Sequence, residues 1–373
     1  MDTKVIKTDP QLGGADTVRR AVEVLTGGGL VAFPTDTVYG VAARVDDRAA
    51  LRRLRNVKSR KVEQAFTVHI GSPSEAVRFA PGLEGLASRF VRKAWPGPLT
   101  LIVPVGDPAS AEVMSDLDGS AAAAMYHGGT IGLRCPDDPF AGALLRAMEV
   151  PVVAASANQA GRPAPCTGDD VLNELDGQID LLVDTGRTKY ARPSTIVRVT
   201  GSSYELVREG VYDADLVRRL SMLRLLLVCT GNTCRSPMAG VLARDMLAQR
   251  LCCDISELPE RGVEVRSAGT AGGWGGASPN AMTVMERRGL DLSGHESAAL
   301  TPEMIQQADH VFAMTRSHRD TIINMVPSAE ERVALLVDGQ DIRDPIGGSV
   351  DDYEKCARMA EKGLQARLQE VIV

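Results

Sequence analysis

A cysteine and an arginine six positions apart, Cys229 and Arg235, are the residues of this chain best placed to do chemistry. They bracket the string Cys229-Thr-Gly-Asn-Thr-Cys-Arg235-Ser236, which follows an apolar run, Leu225-Leu-Leu-Val228. A loop between a strand and a helix points its backbone N–H groups, and the positive end of the helix, at one spot where an anion is favoured. The same field stabilises a thiolate, the reactive form of a cysteine. The guanidinium supplies a planar fork for phosphoryl oxygens. The string reads as a phosphate cradle whose sulfur can accept a phosphoryl group. The competing reading is a cysteine in a tight turn beside a surface arginine.

A second set of polar residues lies in the other half. Lys58 and Arg60 are spaced i, i+2, so in extended backbone they point the same way and can straddle phosphates. Ser156 and Asn158 follow the apolar run Val150-Pro-Val-Val-Ala-Ala155, where a hydroxyl and an amide suit a polar ligand. Residue types alone give an anionic-ligand site of unspecified kind, or else surface charge. Neither a Gly-x-x-x-x-Gly-Lys-[Ser/Thr] loop nor a Gly-x-Gly-x-x-Gly fingerprint is present.

The elements that must position these groups alternate between helix and strand. Periodicity predicts a helix over 16–26, ended by Gly27-Gly-Gly29, then a strand over 30–33 and a helix over about 45–57. Further strands are predicted at 66–70, 130–134 and 150–155, with a helix over 83–95. Several strands are apolar throughout, as in an α/β sheet covered on both faces. The small-residue stretch from Ala121 to Gly129 reads as a flexible loop. A closing helix over 213–220 runs almost directly into a strand at Leu223, with no Gly/Ser- or Pro-rich linker. Two domains are expected, 1–220 and 221–373.

Composition excludes several classes. Hydrophobic content of 44% suffices for two cores, and no window approaches the roughly 20 apolar residues that span a membrane. The first residues, Met-Asp-Thr-Lys-Val-Ile, have no apolar signal core. Seven cysteines, one of which must stay reduced, point to the cytoplasm. Without a Cys-x-x-Cys pair or a His-rich cluster, no structural metal is expected. A net charge of −6 argues against strong indiscriminate nucleic-acid binding. The eight basic residues from Arg44 to Lys61 read by default as a solvated helix face.

Val228-Cys-Thr-Gly-Asn-Thr-Cys-Arg-Ser-Pro-Met-Ala239, with Ser267-Ala-Gly-Thr270, His295 and Asp344-Pro345, resembles the low-molecular-weight protein phosphatases over roughly residues 223–373. The resemblance implies a doubly wound parallel sheet, with Cys229 as nucleophile and Arg235 as phosphoryl binder. Asn232 and Ser236 would hold the loop and stabilise the thiolate. Asp344 would protonate the leaving atom and then activate water. Thr233 stands where phosphotyrosine-directed members typically carry Ile or Leu, and the string is closest to the protein-arginine-phosphatase-like branch. Its hydroxyl would orient a guanidinium leaving group, or it simply packs the loop. The implied substrate is a protein carrying phosphoarginine or phosphotyrosine. Cys234 would be a reversible redox partner of Cys229. The downstream cysteine pair of arsenate reductases is missing, since no cysteine lies between Cys253 and Cys356. Trp274 is either a cleft wall or a packing residue.

Eight short motifs mark the other half: Pro34-Thr-Asp-Thr-Val-Tyr-Gly40, Lys58-x-Arg60, Val68-His-Ile70, Trp95-Pro-Gly-Pro-Leu-Thr100, Arg134-x-Pro136, Ser156-x-Asn158, Pro193-Ser-Thr195 and Val207-Arg-Glu-Gly210. In this order they resemble the Sua5/YrdC/YwlC family, the threonylcarbamoyl-AMP synthases, over residues 5–215. The resemblance implies a twisted mixed sheet with flanking helices. It also implies a reaction of L-threonine, bicarbonate and ATP, with Mg²⁺, to threonylcarbamoyl-adenylate and pyrophosphate. The product would feed t6A modification of tRNA through a threonylcarbamoyl transferase complex. Carried over by position, Thr35, Thr37, His69, Arg134 and Ser194 would surround threonine. Lys58, Arg60, Gln64, Ser156, Asn158 and Arg208 would contact the nucleotide. His69 also reads as a core histidine at a strand end. Lys61 and Ala65 replace prolines typical of the family, which loosens that loop.

Three readings follow. The favoured one is a bifunctional synthase and phosphatase. The second is a phosphatase whose N-terminal domain only binds nucleotide or RNA, either tRNA or double-stranded. The third, a carbamoyl-phosphate-using transferase relative, normally adds zinc-finger-like Cys pairs and an acylphosphatase segment, both absent here.

Overall fold

The computed structural model describes residues 2–9, 14–59, 64–273 and 275–371. Its contacts divide the chain into two compact units, residues 1–220 and 221–373. The first unit holds β1 (Lys4–Lys7), β2 (Val31–Phe33), β3 (Gly40–Arg44), β4 (Thr67–His69), β5 (Leu99–Pro104) and β6 (Tyr126–His127). It continues with β7 (Thr130–Arg134), β8 (Val152–Ser156), β9 (Leu181–Asp184), β10 (Thr195–Thr200) and β11 (Ser203–Arg208). These form one mixed sheet in the order β1-β9-β2-β3-β8-β4-β7-β5-β10-β11, with β6 added to β7.

Successive side chains on a strand face opposite ways, and both faces are buried here. Val31, Phe33, Ala42, Val152 and Ala154 share one apolar cluster with Leu25 and Leu144, from helices Ala15–Thr26 and Pro139–Ala147. Their strand neighbours Ala32, Val41, Ala43 and Val153 share another with Leu51, Leu54 and Phe90, from helices Arg48–Val57 and Gly85–Ala94. Burial on both sides is why these strands read as apolar runs rather than alternating ones.

The basic run is largely engaged within the fold. Arg44 pairs with Asp46 at 2.5 Å, Arg48 with Asp118 at 2.7 Å and Arg53 with Asp180 at 2.8 Å. Arg55 lies 5.4 Å from the centre of the Phe66 ring. One expectation fails: the stretch after Asp118 is not a flexible loop. Gly119–Met125 is a helix whose Asp118 cap accepts from Ser120 N at 2.9 Å and Ala121 N at 3.1 Å. Alanines favour helix intrinsically, and an Asp cap satisfies N–H groups the first turn would leave unpaired. Buried Ala121 and Ala124 then fix it against the core. The following Gly128-Gly129 turn, with φ of 55° and 70°, closes the β6–β7 hairpin in a conformation that glycine adopts freely.

The second unit is a parallel sheet of β12 (Leu223–Cys229), β13 (Val263–Gly269), β14 (His310–Ala313) and β15 (Val333–Leu335), in the order β13-β12-β14-β15. Leu223, Leu225, Leu227 and Cys229 face helices Arg235–Leu251 and Val350–Glu370 through Met238, Leu242 and Leu364. Leu226 and Val228 face the opposite core with Ile305 and Ile322, from helices Pro302–Gln307 and Arg316–Met325. Later strands add on both sides of β12, so the crevice beyond its C-terminal end is the topological switch point of the sheet. No described helix is long and apolar enough to cross a membrane.

Candidate active sites

Residues 229–234 fill that crevice and lead into the Arg235–Leu251 helix. Asn232 N donates to Cys229 Sγ at 3.2 Å, and Ser236 Oγ lies 2.9 Å from the same sulfur. A thiolate there would accept from both. Asn232 has φ of 54°, in the left-handed region that asparagine tolerates better than most residues. Its Nδ2 donates to Ser236 Oγ and Ser267 Oγ, each at 2.9 Å, and its Oδ1 accepts from Ala298 N at 2.8 Å. His295 Nε2 sits 2.8 Å from its carbonyl. The strained residue is therefore held on every side.

Arg235 is 4% exposed and reaches back under the loop. Its Nη2 donates to Thr230 Oγ1 at 3.0 Å, its Nη1 to the Ile342 carbonyl at 3.3 Å, and its Nε is buried without a partner. Asp344, 109 residues further along the chain, pairs with the same Nη2. Arg235 thus joins Asp344 to the loop that carries Cys229. Any anion bound by that Nη2 would compete with Asp344 for it. Ile346, just past the acid, is 71% exposed.

Cys234 is buried, with its Sγ 3.3 Å from both Ser278 Oγ and Tyr353 OH, and Thr233 Oγ1 3.6 Å away. Both Cys229 and Cys234 are free thiols. Burial pushes the Cys356 thiol up to about 12, which favours its protonated form. Trp274 lies outside the described residues. Sequence reasoning missed Ser278, Tyr353, Thr230 and His318. The last two form a hydrogen-bonded pair at 2.9 Å. Thr315-x-x-His318 spells an ordinary helix cap, and only the fold brings it beneath the loop.

In the first unit, Lys58 is 8% exposed and ties together the residues expected beside a nucleotide. Its Nζ donates to the Ser156 carbonyl at 2.8 Å, the Asn158 carbonyl at 2.6 Å and Asn158 Oδ1 at 3.0 Å, with Ser156 Oγ at 3.3 Å. Ala157 N donates to the Tyr39 carbonyl at 2.8 Å, which fastens this turn to the loop carrying Thr35 and Thr37. Arg60 lies outside the described residues, as does Lys61, and Gln64 is exposed.

Arg134 Nη2 donates to Thr37 Oγ1 at 2.5 Å, Asp36 Oδ1 at 2.7 Å and Thr35 Oγ1 at 3.3 Å. Asp36 was not among the sequence candidates, yet it is 1% exposed and its Oδ2 has no partner. Burial pushes its carboxyl up while Arg134 pulls it down. His69 stands opposite Arg134 in the β4–β7 ladder, edge-on to Phe33 at 6.3 Å. Burial first, and the charge of Arg134 second, lower it to about 3, so the ring is neutral. Ser194 Oγ is 2.9 Å from Thr100 Oγ1, and Arg208 Nη2 donates to the Ser194 carbonyl at 2.8 Å. The backbone approach is close: a Cβ on Gly210 would meet the Pro193 carbonyl at 2.3 Å. The charge of Arg134 also lowers Arg208, after desolvation. Arg134, paired to Asp36, lies near Arg208, and Lys58 is held on the turn fastened to the loop of Thr35 and Thr37, so the unit carries cations suited to a carboxylate and phosphates.

The Sua5/YciO/YrdC family model, described as telomere recombination, matches residues 23–210. The model for low molecular weight phosphotyrosine protein phosphatase matches residues 224–372. The chain belongs to both families. A threonylcarbamoyl-AMP synthase of Bacillus subtilis is 34% identical over 203 residues, 54% of this chain and 54% of its own length. This chain therefore spans about half the length of that synthase. A protein-arginine-phosphatase of Geobacillus stearothermophilus is 40% identical over 154 residues, 39% of this chain and 94% of its own. A solved structure of Pyrococcus abyssi Sua5 aligns with a TM-score of 0.50 at 20% identity, over 71% of this chain and 91% of the other, a likeness of fold alone. The Sua5-type unit carries these cations, and the phosphatase-type unit carries the thiol loop.

Proposed function

We propose that the chain is a bifunctional enzyme, a threonylcarbamoyl-AMP synthase joined to a cysteine-dependent protein phosphatase. The synthase reading rests on the knot of Lys58 with Ser156 and Asn158 beside the Arg134–Asp36 pair. Arg134, Thr35 and Thr37 hold the threonine carboxylate and hydroxyl, and the neutral His69 packs behind them. The amino nitrogen attacks CO2 with loss of a proton to solvent, or bicarbonate with loss of water, and the resulting carbamate oxygen attacks the α-phosphorus of ATP. Pyrophosphate leaves against Lys58, Arg60 and Arg208, so the protein acts by positioning and charge neutralisation. Mg²⁺ bound with the nucleotide would add to the neutralisation of its phosphate oxygens by Lys58 and Arg208. The adenylate then passes to a threonylcarbamoyl transferase acting on tRNA.

The phosphatase reading rests on Cys229 Sγ facing the Asn232 N–H and Ser236, with Arg235 and Asp344 joined across the loop. An S–P bond forms as the P–N or P–O bond of the substrate breaks, and Asp344 protonates the departing atom. Asp344 then takes a proton from water, which attacks phosphorus and releases phosphate and the thiolate. Arg235 holds the equatorial oxygens throughout. Thr233 and the likeness to the arginine phosphatase favour phosphoarginine over phosphotyrosine.

Two assays on the purified full chain test the proposal. Pyrophosphate release from ATP must need both L-threonine and bicarbonate. No release from a preparation that still hydrolyses phosphorylated substrate leaves the first unit as a nucleotide- or RNA-binding module. Phosphate release from a phosphoarginine protein must exceed that from a phosphotyrosine peptide; the reverse order refutes the arginine preference.

A further inference from the structure

We propose that His318 is a positioning residue for the phosphatase-type site, holding Thr230 and through it the phosphate-binding fork of Arg235. The inference rests on the phosphatase reading above. His318 lies in the Arg316–Met325 helix, outside every motif that marks the site, and is 6% exposed. Both ring nitrogens are engaged. Nδ1 is 2.8 Å from Thr315 Oγ1, and Nε2 is 2.9 Å from Thr230 Oγ1. Thr230 Oγ1 in turn accepts from Arg235 Nη2 at 3.0 Å.

One assignment of the ring proton satisfies every group in this chain. Thr315 Oγ1 accepts the His318 backbone N–H at 3.3 Å as the cap of its helix, and Nδ1–H donates to the same oxygen. Nε2 then carries no proton and accepts from the Thr230 hydroxyl. That leaves the Thr230 oxygen free to accept from Arg235. A doubly protonated ring would donate from both nitrogens and set a second positive charge beside Arg235. The surroundings keep the ring neutral: burial and the charge of Arg235 lower it to about 4, against a weaker opposite pull from Asp344 and Asp341. The chain Thr315–His318–Thr230–Arg235 therefore anchors a buried guanidinium to a helix terminus. The alternative hold on that Nη2, Asp344, has to leave during turnover. When it does, Thr230 is the remaining partner of Nη2 among the described residues, and His318 determines where Thr230 points.

The test compares His318→Ala, His318→Gln and His318→Asn in the full chain under reducing conditions. The readouts are aryl phosphate hydrolysis and competitive inhibition by inorganic phosphate. A displaced fork raises the inhibition constant for phosphate in His318→Ala and lowers kcat/KM by about 10²-fold, the scale of a misplacement of about 1 Å. Glutamine reaches the Nε2 position and accepts from Thr230, so it restores most of both. Asparagine reproduces only the Nδ1 contact with Thr315 and does not. A structural role predicts otherwise, since partial misfolding lowers the active fraction while KM and the phosphate constant stay at wild-type values. That outcome overturns the proposal, as does equal rescue by asparagine and glutamine. A wild-type chain that hydrolyses no phosphorylated substrate overturns the phosphatase reading, and the proposal with it. An active wild type with an unaffected His318→Ala variant overturns the positioning role alone.

Discussion

Gly269 offers the sharpest test of how the thiol loop is held. It lies opposite Cys229 in the β12–β13 ladder, with the loop backbone packed directly upon it. A Cβ built there would sit 2.4 Å from the Thr230 carbonyl oxygen, 2.9 Å from Asn232 N and 3.0 Å from Gly231 C. All three are main-chain atoms, so no side-chain rotation relieves the contact. Ordinary contact begins near 3.4 Å, so Gly269→Ala must push the Thr230 carbonyl away by about 1 Å. Overpacking of this kind costs about 1–3 kcal/mol. The displaced atoms belong to the loop that the proposed phosphatase would use to hold phosphate, and a misplacement of this size costs about 10²-fold in rate. Gly240→Ala is the matched control. Its Cβ would meet Ser267 Cβ at 3.8 Å, inside a helix that alanine favours. We expect Gly269→Ala to lose about 10²-fold in kcat/KM on an aryl phosphate. Gly240→Ala should keep its activity, and threonine-dependent pyrophosphate release should be unchanged in both. Wild-type kcat/KM in Gly269→Ala, or an equal loss in Gly240→Ala, refutes the argument that this close approach sets the loop.

Three further outcomes follow from the geometry. Lys58→Ala leaves the acceptors of Ser156 and Asn158 without their shared ammonium; at about 1.5–3 kcal/mol for a hydrogen bond to a charged group, kcat/KM for ATP falls by at least 10-fold or so. Lys58→Arg does not restore it, because a planar fork cannot reproduce a compact ammonium, and the ATP dependence of pyrophosphate release reads both. Asp344→Asn removes the acid, lowering turnover of a poor leaving group by about 10²–10⁴-fold, yet frees Arg235 and tightens inhibition by inorganic phosphate; an unchanged or weaker inhibition constant sinks the competition reading. The folded-state pKa of His69 is depressed from 6.5 to about 3, so the unfolded chain takes up a proton that the folded chain refuses as pH falls below 6.5. Its share of stability is complete above 6.5 and declines toward pH 3; urea unfolding of the first unit should show this slope, and His69→Gln should flatten it.

Much of the site was legible because its chemistry is local. Cys229, Asn232, Arg235 and Ser236 lie within one turn-sized loop, and an apolar run before them announced the strand that delivers it. Lys58 was legible only as a charge. That its ammonium would be bound by Ser156 and Asn158, some hundred residues away, required the sheet. The stretch from Ala121 was misread because small residues without an apolar stripe resemble a loop, whereas the Asp118 cap and buried alanines make it a helix.

Resemblance singled out Asp344; the sequence by itself determined the strand-and-helix alternation and the thiol and guanidinium six positions apart in one loop. These depend on residue type, short spacing and period, all of which are written along the chain. The tertiary structure decided which groups serve those residues from afar. Asp36 beneath Arg134 and Gly269 beneath the loop stand inside motifs that give them no role, and His318 behind Thr230 stands in an ordinary segment. Nothing in one dimension distinguishes them, because their roles arise from burial and from contact across strands. A carboxylate becomes a buried ion pair, a glycine a close approach and a histidine a neutral relay only when the sheet brings distant segments within a few ångströms.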